Sequence, residues 1–156
     1  MLRVSKLTDY ATVILTHIAH QPDELHAASD ITQATGVALP TVSKVLKFLS
    51  KANILTSHRG SKGGYALANK PNETNVAEVI TAIEGPIGMT ECTTSEGTCE
   101  QESSCEIKGN WNLINRAVYT ALEAVTLADM VAPVRQQAVN VVMPRTKETN
   151  ELKVES

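Results

Sequence analysis

Three cysteines, Cys92, Cys99 and Cys105, are the residues whose type and spacing most clearly suggest chemistry. Six residues separate the first pair and five the second, which differs from the C-x2-C pairs of structural zinc sites. An odd number of cysteines in a chain without an export signal argues against a disulfide framework. Three thiolates on one irregular segment supply most of the four ligands of an iron–sulfur cluster. Zinc held by the three cysteines and one acid stays open as an alternative.

The cysteine segment is also acidic. No Lys or Arg lies among its glutamates, which are Glu91, Glu96, Glu100, Glu102 and Glu106. Negative charge disfavours free thiolates, so a bound cation is needed to compensate.

A basic block precedes the cysteines, although the chain as a whole has a net charge of −3. Residues 31–72 contain no Asp or Glu, and they hold six cations, Lys44, Lys47, Lys51, Arg59, Lys62 and Lys70. A polyanion is the simplest partner for such a block, and surface solubility is the alternative.

The elements of this block are typical of a helix-turn-helix followed by a wing. A helix that Ser29 caps ends at Gly36, and a second helix starts near Pro40. Residues 54–58 and 65–68 favour strands around a turn rich in glycine, which predicts a β-hairpin. Cations and short polar groups at these places suit phosphates and base edges. The predicted DNA-binding residues are Thr41, Ser43, Lys44, Lys47, Arg59, Gly60, Ser61 and Lys62.

Helices are predicted on both sides of this module. Residues 8–20 form a helix capped by Thr8, Asn75 caps a short helix over 76–83, and residues 110–131 form the longest helix. The apolar stripe of this last helix suits packing against another helix and consists of Trp111, Ile114, Val118, Leu122 and Val125. We expect His17, His20, His26 and His58 to be surface or helix-face residues.

The predicted fold is mainly α with a small β-hairpin: a winged helix-turn-helix plus a long C-terminal dimerisation helix. We expect a DNA-binding domain over residues 1–85, a cluster-binding loop over 86–108, a dimerisation helix over 109–132 and a flexible tail over 133–156. The sequence shows no signal peptide and no membrane span, which predicts a cytoplasmic protein. It shows no catalytic residues, so we expect neither an enzyme nor a small-molecule substrate.

Several motifs resemble one family over Met1 to about Val131. They are Ser5-Lys6-Leu7-Thr8-Asp9-Tyr10-Ala11, then Arg59-Gly60-Ser61-Lys62-Gly63-Gly64-Tyr65-Ala66-Leu67-Ala68, then Val76-Ala77-Glu78-Val79-Ile80 with Glu84-Gly85, then the cysteines. In this order they resemble the winged-helix iron–sulfur transcription regulators typified by IscR and NsrR. Within that family the start of the chain looks most like the regulator of the SUF cluster-assembly operon.

The resemblance implies a homodimer, a double-stranded DNA operator with two half-sites, and Cys92, Cys99 and Cys105 as cluster ligands. Members similar to IscR place a histidine where this chain has Lys108, a poor ligand. Asp9 matches the aspartate that members similar to NsrR use, so we predict Asp9, from the same chain or from the partner chain, as a fourth ligand. A first-turn charge that favours the helix dipole is the alternative for Asp9. The cluster type stays open between 2Fe–2S and 4Fe–4S.

Pro40, Thr41 and Ser43 match the family's base-contacting positions but differ from the residues of IscR, so the operator should differ too. We also include Ser5, from the first motif, in the DNA-binding set.

These features predict a repressor that senses iron–sulfur cluster status, redox stress or nitric oxide and controls cluster-assembly genes. One alternative is a winged-helix regulator with structural zinc or a cluster-free cysteine switch. Another is a small iron–sulfur carrier or electron-transfer protein.

Overall fold

The helix-turn-helix and the hairpin lie side by side at the N-terminal end of a computed structural model, which describes residues 3–94 and 105–132. Within these residues the elements are α1 (Lys6–Ala19), α2 (Ala28–Thr35), α3 (Leu39–Lys51), β1 (Leu55–His58), β2 (Gly64–Leu67), α4 (Val76–Glu84), α5 (Glu91–Thr94), α6 (Lys108–Glu123) and α7 (Leu127–Val131). A 3-10 turn lies at Pro71–Glu73. This order confirms the prediction of a mainly helical chain with one β-hairpin.

The core is aliphatic and is centred on α1. Ile14, Leu15 and Ile18 are fully buried there, and Leu46 and Leu49 of α3 join the same cluster. Helix α1 also packs against α2, α4 and α7. The single core therefore holds α3 and α4 in fixed positions relative to α1, because close-packed side chains leave little room for sliding.

Helix α1 begins earlier than expected, and the prediction of Thr8 as its cap is wrong. Ser5 is the N-cap residue, and its Oγ accepts a hydrogen bond from the backbone N–H of Thr8. Thr8 lies inside the helix and is buried, and its hydroxyl donates a hydrogen bond to Glu84 at the end of α4.

The turn between α2 and α3 follows the sequence signals at its glycine. Gly36 ends α2 with a φ of 73°, a conformation that glycine adopts without a Cβ clash. The prediction of Ser29 as the cap of α2 is wrong, because Ala27 holds the N-cap position and the Ser29 hydroxyl donates to Asp30 Oδ1. Pro40 lies in the first turn of α3, where its missing N–H breaks no helical bond.

The hairpin is antiparallel, with Leu55 opposite Leu67 and His58 opposite Gly64. The backbone of His26 extends it, because His26 and Tyr65 exchange two N–H···O bonds of 2.9 Å. His26 was expected at the surface but is buried, with its ring 3.0 Å from the carbonyl oxygen of Gln21. Its ring also contacts His17, whose pKa is lowered by burial and by the neighbouring His26 and His20.

The C-terminal helix is divided, so the prediction of one helix over residues 110–131 is wrong. Helix α6 ends at Glu123 and α7 starts at Leu127. Thr126 and Asp129 form a capping box at the start of α7, in which each side chain bonds the other residue's backbone N–H. This arrangement lowers the pKa of Asp129, because the N–H and hydroxyl of Thr126 both donate to its carboxylate.

Candidate nucleic-acid interface and cysteine segment

Helix α3 has one buried face and one exposed polar face. The buried face consists of Val42, Val45, Leu46 and Leu49. Ser43, Lys44 and Lys47 are exposed on the other face, while Thr41 is half-buried at its border. The structure thus presents three of the four predicted DNA-contact residues of this helix to solvent.

An aromatic side chain supports one of these cations. The Lys44 Nζ lies 6.0 Å from the centroid of the Phe48 ring, at the outer limit of a cation–π contact. The Lys44 side chain therefore lies along the helix surface towards Phe48, one turn further on.

The wing tip, residues 59–62, is exposed throughout and includes both Arg59 and Lys62. Gly60 has a φ of 121°, and its carbonyl oxygen accepts the Gly63 N–H at 3.0 Å. A Cβ on Gly63 would lie 2.3 Å from the backbone oxygen of His58. Glycine at position 63 is therefore required for this turn, which aims the cations away from the core.

Ser5, the remaining predicted DNA contact, is exposed but already makes hydrogen bonds. Its N–H donates to Glu84 Oε1 at 2.7 Å, and its hydroxyl caps α1. The hydrogen bonds from Thr8 and Ser5 lower the pKa of Glu84. Glu84 thus joins the end of α4 to the start of α1. Its position in the chain is shortly before the cysteine segment. The sequence motif that contains Glu84 gave no indication of this contact.

Helix α6 anchors the described ends of the cysteine segment. Asn115 of α6 accepts the Met89 N–H at 3.2 Å and donates to the Ile87 carbonyl oxygen at 3.4 Å. Helix α5, which contains Cys92, packs against α6, and Cys105 lies three residues before α6 begins. Asn115 was not among the predicted site residues, although its amide lies beside the apolar stripe of the predicted helix.

The predicted ligands are only partly described. Cys105 is half-buried and Asp9 is exposed on α1, whereas Cys99 and the side chain of Cys92 lie outside the described residues. Among the side chains that the structure describes, no three His, Cys, Asp or Glu residues are close enough to hold a metal ion. The cluster ligands, Asp9 included, therefore stay predictions.

None of the described helices is long and apolar enough to cross a membrane.

Comparisons with known proteins agree with this geometry. The family profile Rrf2, iron-dependent transcriptional regulator, matches residues 4–133. Protein rrf2 of Nitratidesulfovibrio vulgaris is 30% identical over 131 residues, which are 83% of this chain and 87% of that protein. The HTH-type transcriptional regulator NsrR of Shouchella clausii is 28% identical over 132 residues, covering 83% of this chain and 89% of the relative.

Among solved structures, that of CymR, the global cysteine regulator of B. subtilis, superposes with a TM-score of 0.66 at 25% identity. The match covers 84% of this chain and 97% of the CymR chain.

Proposed function

The chain belongs to the Rrf2 family of iron-dependent transcriptional regulators, and we propose that it is a homodimeric, cytoplasmic repressor that binds a double-stranded operator through α3 and the wing. The family is one of transcription regulators and not of enzymes. The proposed target genes encode the proteins that assemble iron–sulfur clusters.

The observation that carries the DNA-binding proposal is the exposed basic surface of α3 and the wing. Lys44 and Lys47 are exposed on α3, and Arg59 and Lys62 are exposed at the wing tip. No carboxylate occurs anywhere in residues 31–72 to neutralise them. Cations at phosphate spacing supply affinity for a duplex, and the first turns of α3 supply side chains that reach base edges.

We propose Cys92, Cys99 and Cys105 as cluster ligands. The donor types fit, because soft thiolates are preferred by iron–sulfur clusters. When bound, the cluster supplies a link across residues 92–105 that iron loss, oxidation or nitric oxide breaks. Asp9, one turn into α1, is the proposed fourth ligand.

The described contacts connect the cysteine segment to the DNA-binding surface. Asn115 fixes residues 87–89 to α6, and α6 packs against α4. Helix α4 in turn packs against α1 and α3. A change in how the segment is restrained therefore shifts α6 relative to α3, and a coupling free energy of about 1–3 kcal/mol is enough for a useful switch.

Helix α6 supports the proposal of a dimer, because none of its side chains is fully buried in the single chain. Ile114 is exposed on it, and Ile107, seven residues earlier and therefore on the same side, is exposed just before it. A second copy of α6 would cover this surface and would hold two recognition helices at a fixed spacing, as an operator with two half-sites requires.

Duplex selection from a random library tests the proposed function, with the protein kept anaerobic. We expect one enriched sequence with two half-sites, bound with an affinity that falls steeply with salt. Treatment of the same sample with an iron chelator should change the affinity about 5-fold to 150-fold. No enriched sequence, or equal binding to all duplexes, would contradict the proposal.

The structural similarity to CymR supports a second candidate, a cluster-free regulator whose cysteines respond to thiol oxidation or hold zinc. In that case the chelator leaves operator binding of an iron-free protein unchanged, and a thiol oxidant changes it. The family assignment disfavours the carrier or electron-transfer alternative, since such a protein needs no duplex preference.

A further inference from the structure

A large apolar side chain is exposed at the start of α3. Leu39 is the first residue of the helix, and 47% of its surface is exposed. It lies seven residues before Leu46, a spacing that would assign it to the core. The buried part of α3 begins only one turn further along the helix, so Leu39 lies outside the core.

Leu39 belongs to the same ridge as two of the proposed DNA contacts. Leu39, Ser43 and Lys47 are four residues apart, so they follow one another along one side of the helix. Pro40, also exposed, adds apolar surface beside Leu39. The exposed surface at Leu39 and Pro40 is therefore apolar, whereas the later turns expose polar and basic side chains.

We infer that Leu39 contacts the methyl group of a thymine in the major groove and so determines which base the operator carries at that position. This inference rests on the proposed function. The N-terminal residues of a recognition helix reach base edges, and the thymine methyl is the apolar group that the major groove displays. Lys47 and Lys51, further along α3, are placed for phosphates.

The helix geometry locates the thymine. Four residues of α-helix rise about 6 Å, which is roughly two base-pair steps along a duplex. The thymine that Leu39 contacts should therefore lie within about two base pairs of the base that Ser43 contacts.

Replacement of thymine by uracil in the selected operator tests the inference, because uracil lacks only the methyl group. Thymines are replaced one position at a time in each half-site, and binding is measured with the full-length protein. The native protein should lose about fourfold in affinity per half-site at one position, the value for one buried methyl group. Leu39→Ala should bind the thymine and uracil operators equally at that position.

Two further variants separate a base contact from a general effect on folding. Leu39→Met keeps an apolar side chain of similar volume and should keep the preference for thymine. Leu25→Ala removes an equally exposed leucine from the turn before α2 and should also keep it. Unchanged discrimination by Leu39→Ala, or no uracil effect at any position, would overturn the inference while leaving the proposed function standing. Failure of the selection itself would remove both.

Discussion

Arg59 is exposed at the wing tip, and an arginine there reaches phosphates or a narrow minor groove. We expect Arg59→Ala to weaken operator binding about tenfold, because one charge-assisted hydrogen bond is lost. The fold should not change, since the side chain is exposed. Fluorescence anisotropy with a labelled operator measures the effect.

Lys70→Ala is the matched control for Arg59. It removes the same charge, but Lys70 lies beside Asp23 and Glu73 around a surface cavity. Its affinity should stay within about twofold of the native value. Equal losses in both variants would remove the wing from the interface.

Glu84 gives the fold a predictable pH dependence. Its pKa is lowered by the hydrogen bonds from Thr8 and Ser5, so the folded state favours the ionised carboxylate. The resulting stability is present above the ordinary pKa near 4.5 and is lost as the pH falls through the lowered value. Because Glu84 is largely exposed, we expect Glu84→Gln to cost only about 0.5–1 kcal/mol at pH 7.

Denaturant unfolding at pH 7 and at acidic pH measures this difference. The difference in the free energy of unfolding between Glu84→Gln and the native chain should disappear at low pH. Glu24→Gln, in the turn after α1, should unfold with the native free energy at both pH values. A difference for Glu84→Gln that grows on acidification would contradict the assignment.

The shape of the wing depends on its glycines, among which Gly63 has the closest backbone neighbour. Gly63→Ala places a methyl group 2.3 Å from the His58 backbone oxygen, so the hairpin turn must change shape. We expect operator affinity to fall about tenfold while the helical circular dichroism signal is kept. The control is Gly109→Ala, where an added Cβ meets nothing within 4 Å. Native affinity in Gly63→Ala would show that the turn does not position the cations.

Local sequence signals correctly predicted the end of α2 and the start of α4. Gly36 and Asn75 were assigned correctly, because an αL glycine and a capping asparagine act within their own turn. The break between α6 and α7 was missed, although Thr126 and Asp129 have the spacing of a capping box. The apolar stripe continues across the break and outweighed that signal.

Contacts between distant parts of the chain were not predictable. The bond from Thr8 to Glu84 joins residues that no local pattern relates, and the same holds for Asn115 with Met89. The exposed face of α3 was predicted, because helical periodicity determines it. The exposure of Leu39 was not predicted, because helical periodicity assigns Leu39 to the buried face. Leu39 is exposed because the core does not extend to the first residue of α3.

At the scale of the whole molecule, α6 should join two chains. Ile114 is 43% exposed on α6, and a charge there would be buried in a dimer. We expect Ile114→Glu to raise the dimer dissociation constant about a hundredfold or more and to abolish binding to an operator with two half-sites. Sedimentation velocity measures the oligomeric state.

Asn112→Glu is the control, because Asn112 is exposed on the opposite side of α6. It should remain dimeric. A dimeric Ile114→Glu variant would place the dimer interface elsewhere.

We propose that three thiolates of one segment hold one inorganic cluster that governs DNA binding. Anaerobic purification, followed by an absorbance spectrum and by iron and sulfide counts, tests this proposal. We expect a coloured protein with iron and acid-labile sulfide in equal numbers, which Cys99→Ser loses and Ser103→Ala keeps, with unchanged helical content in both. A colourless protein with stoichiometric zinc, or a Cys99→Ser variant with the native spectrum, would show that these cysteines do not hold an iron–sulfur cluster.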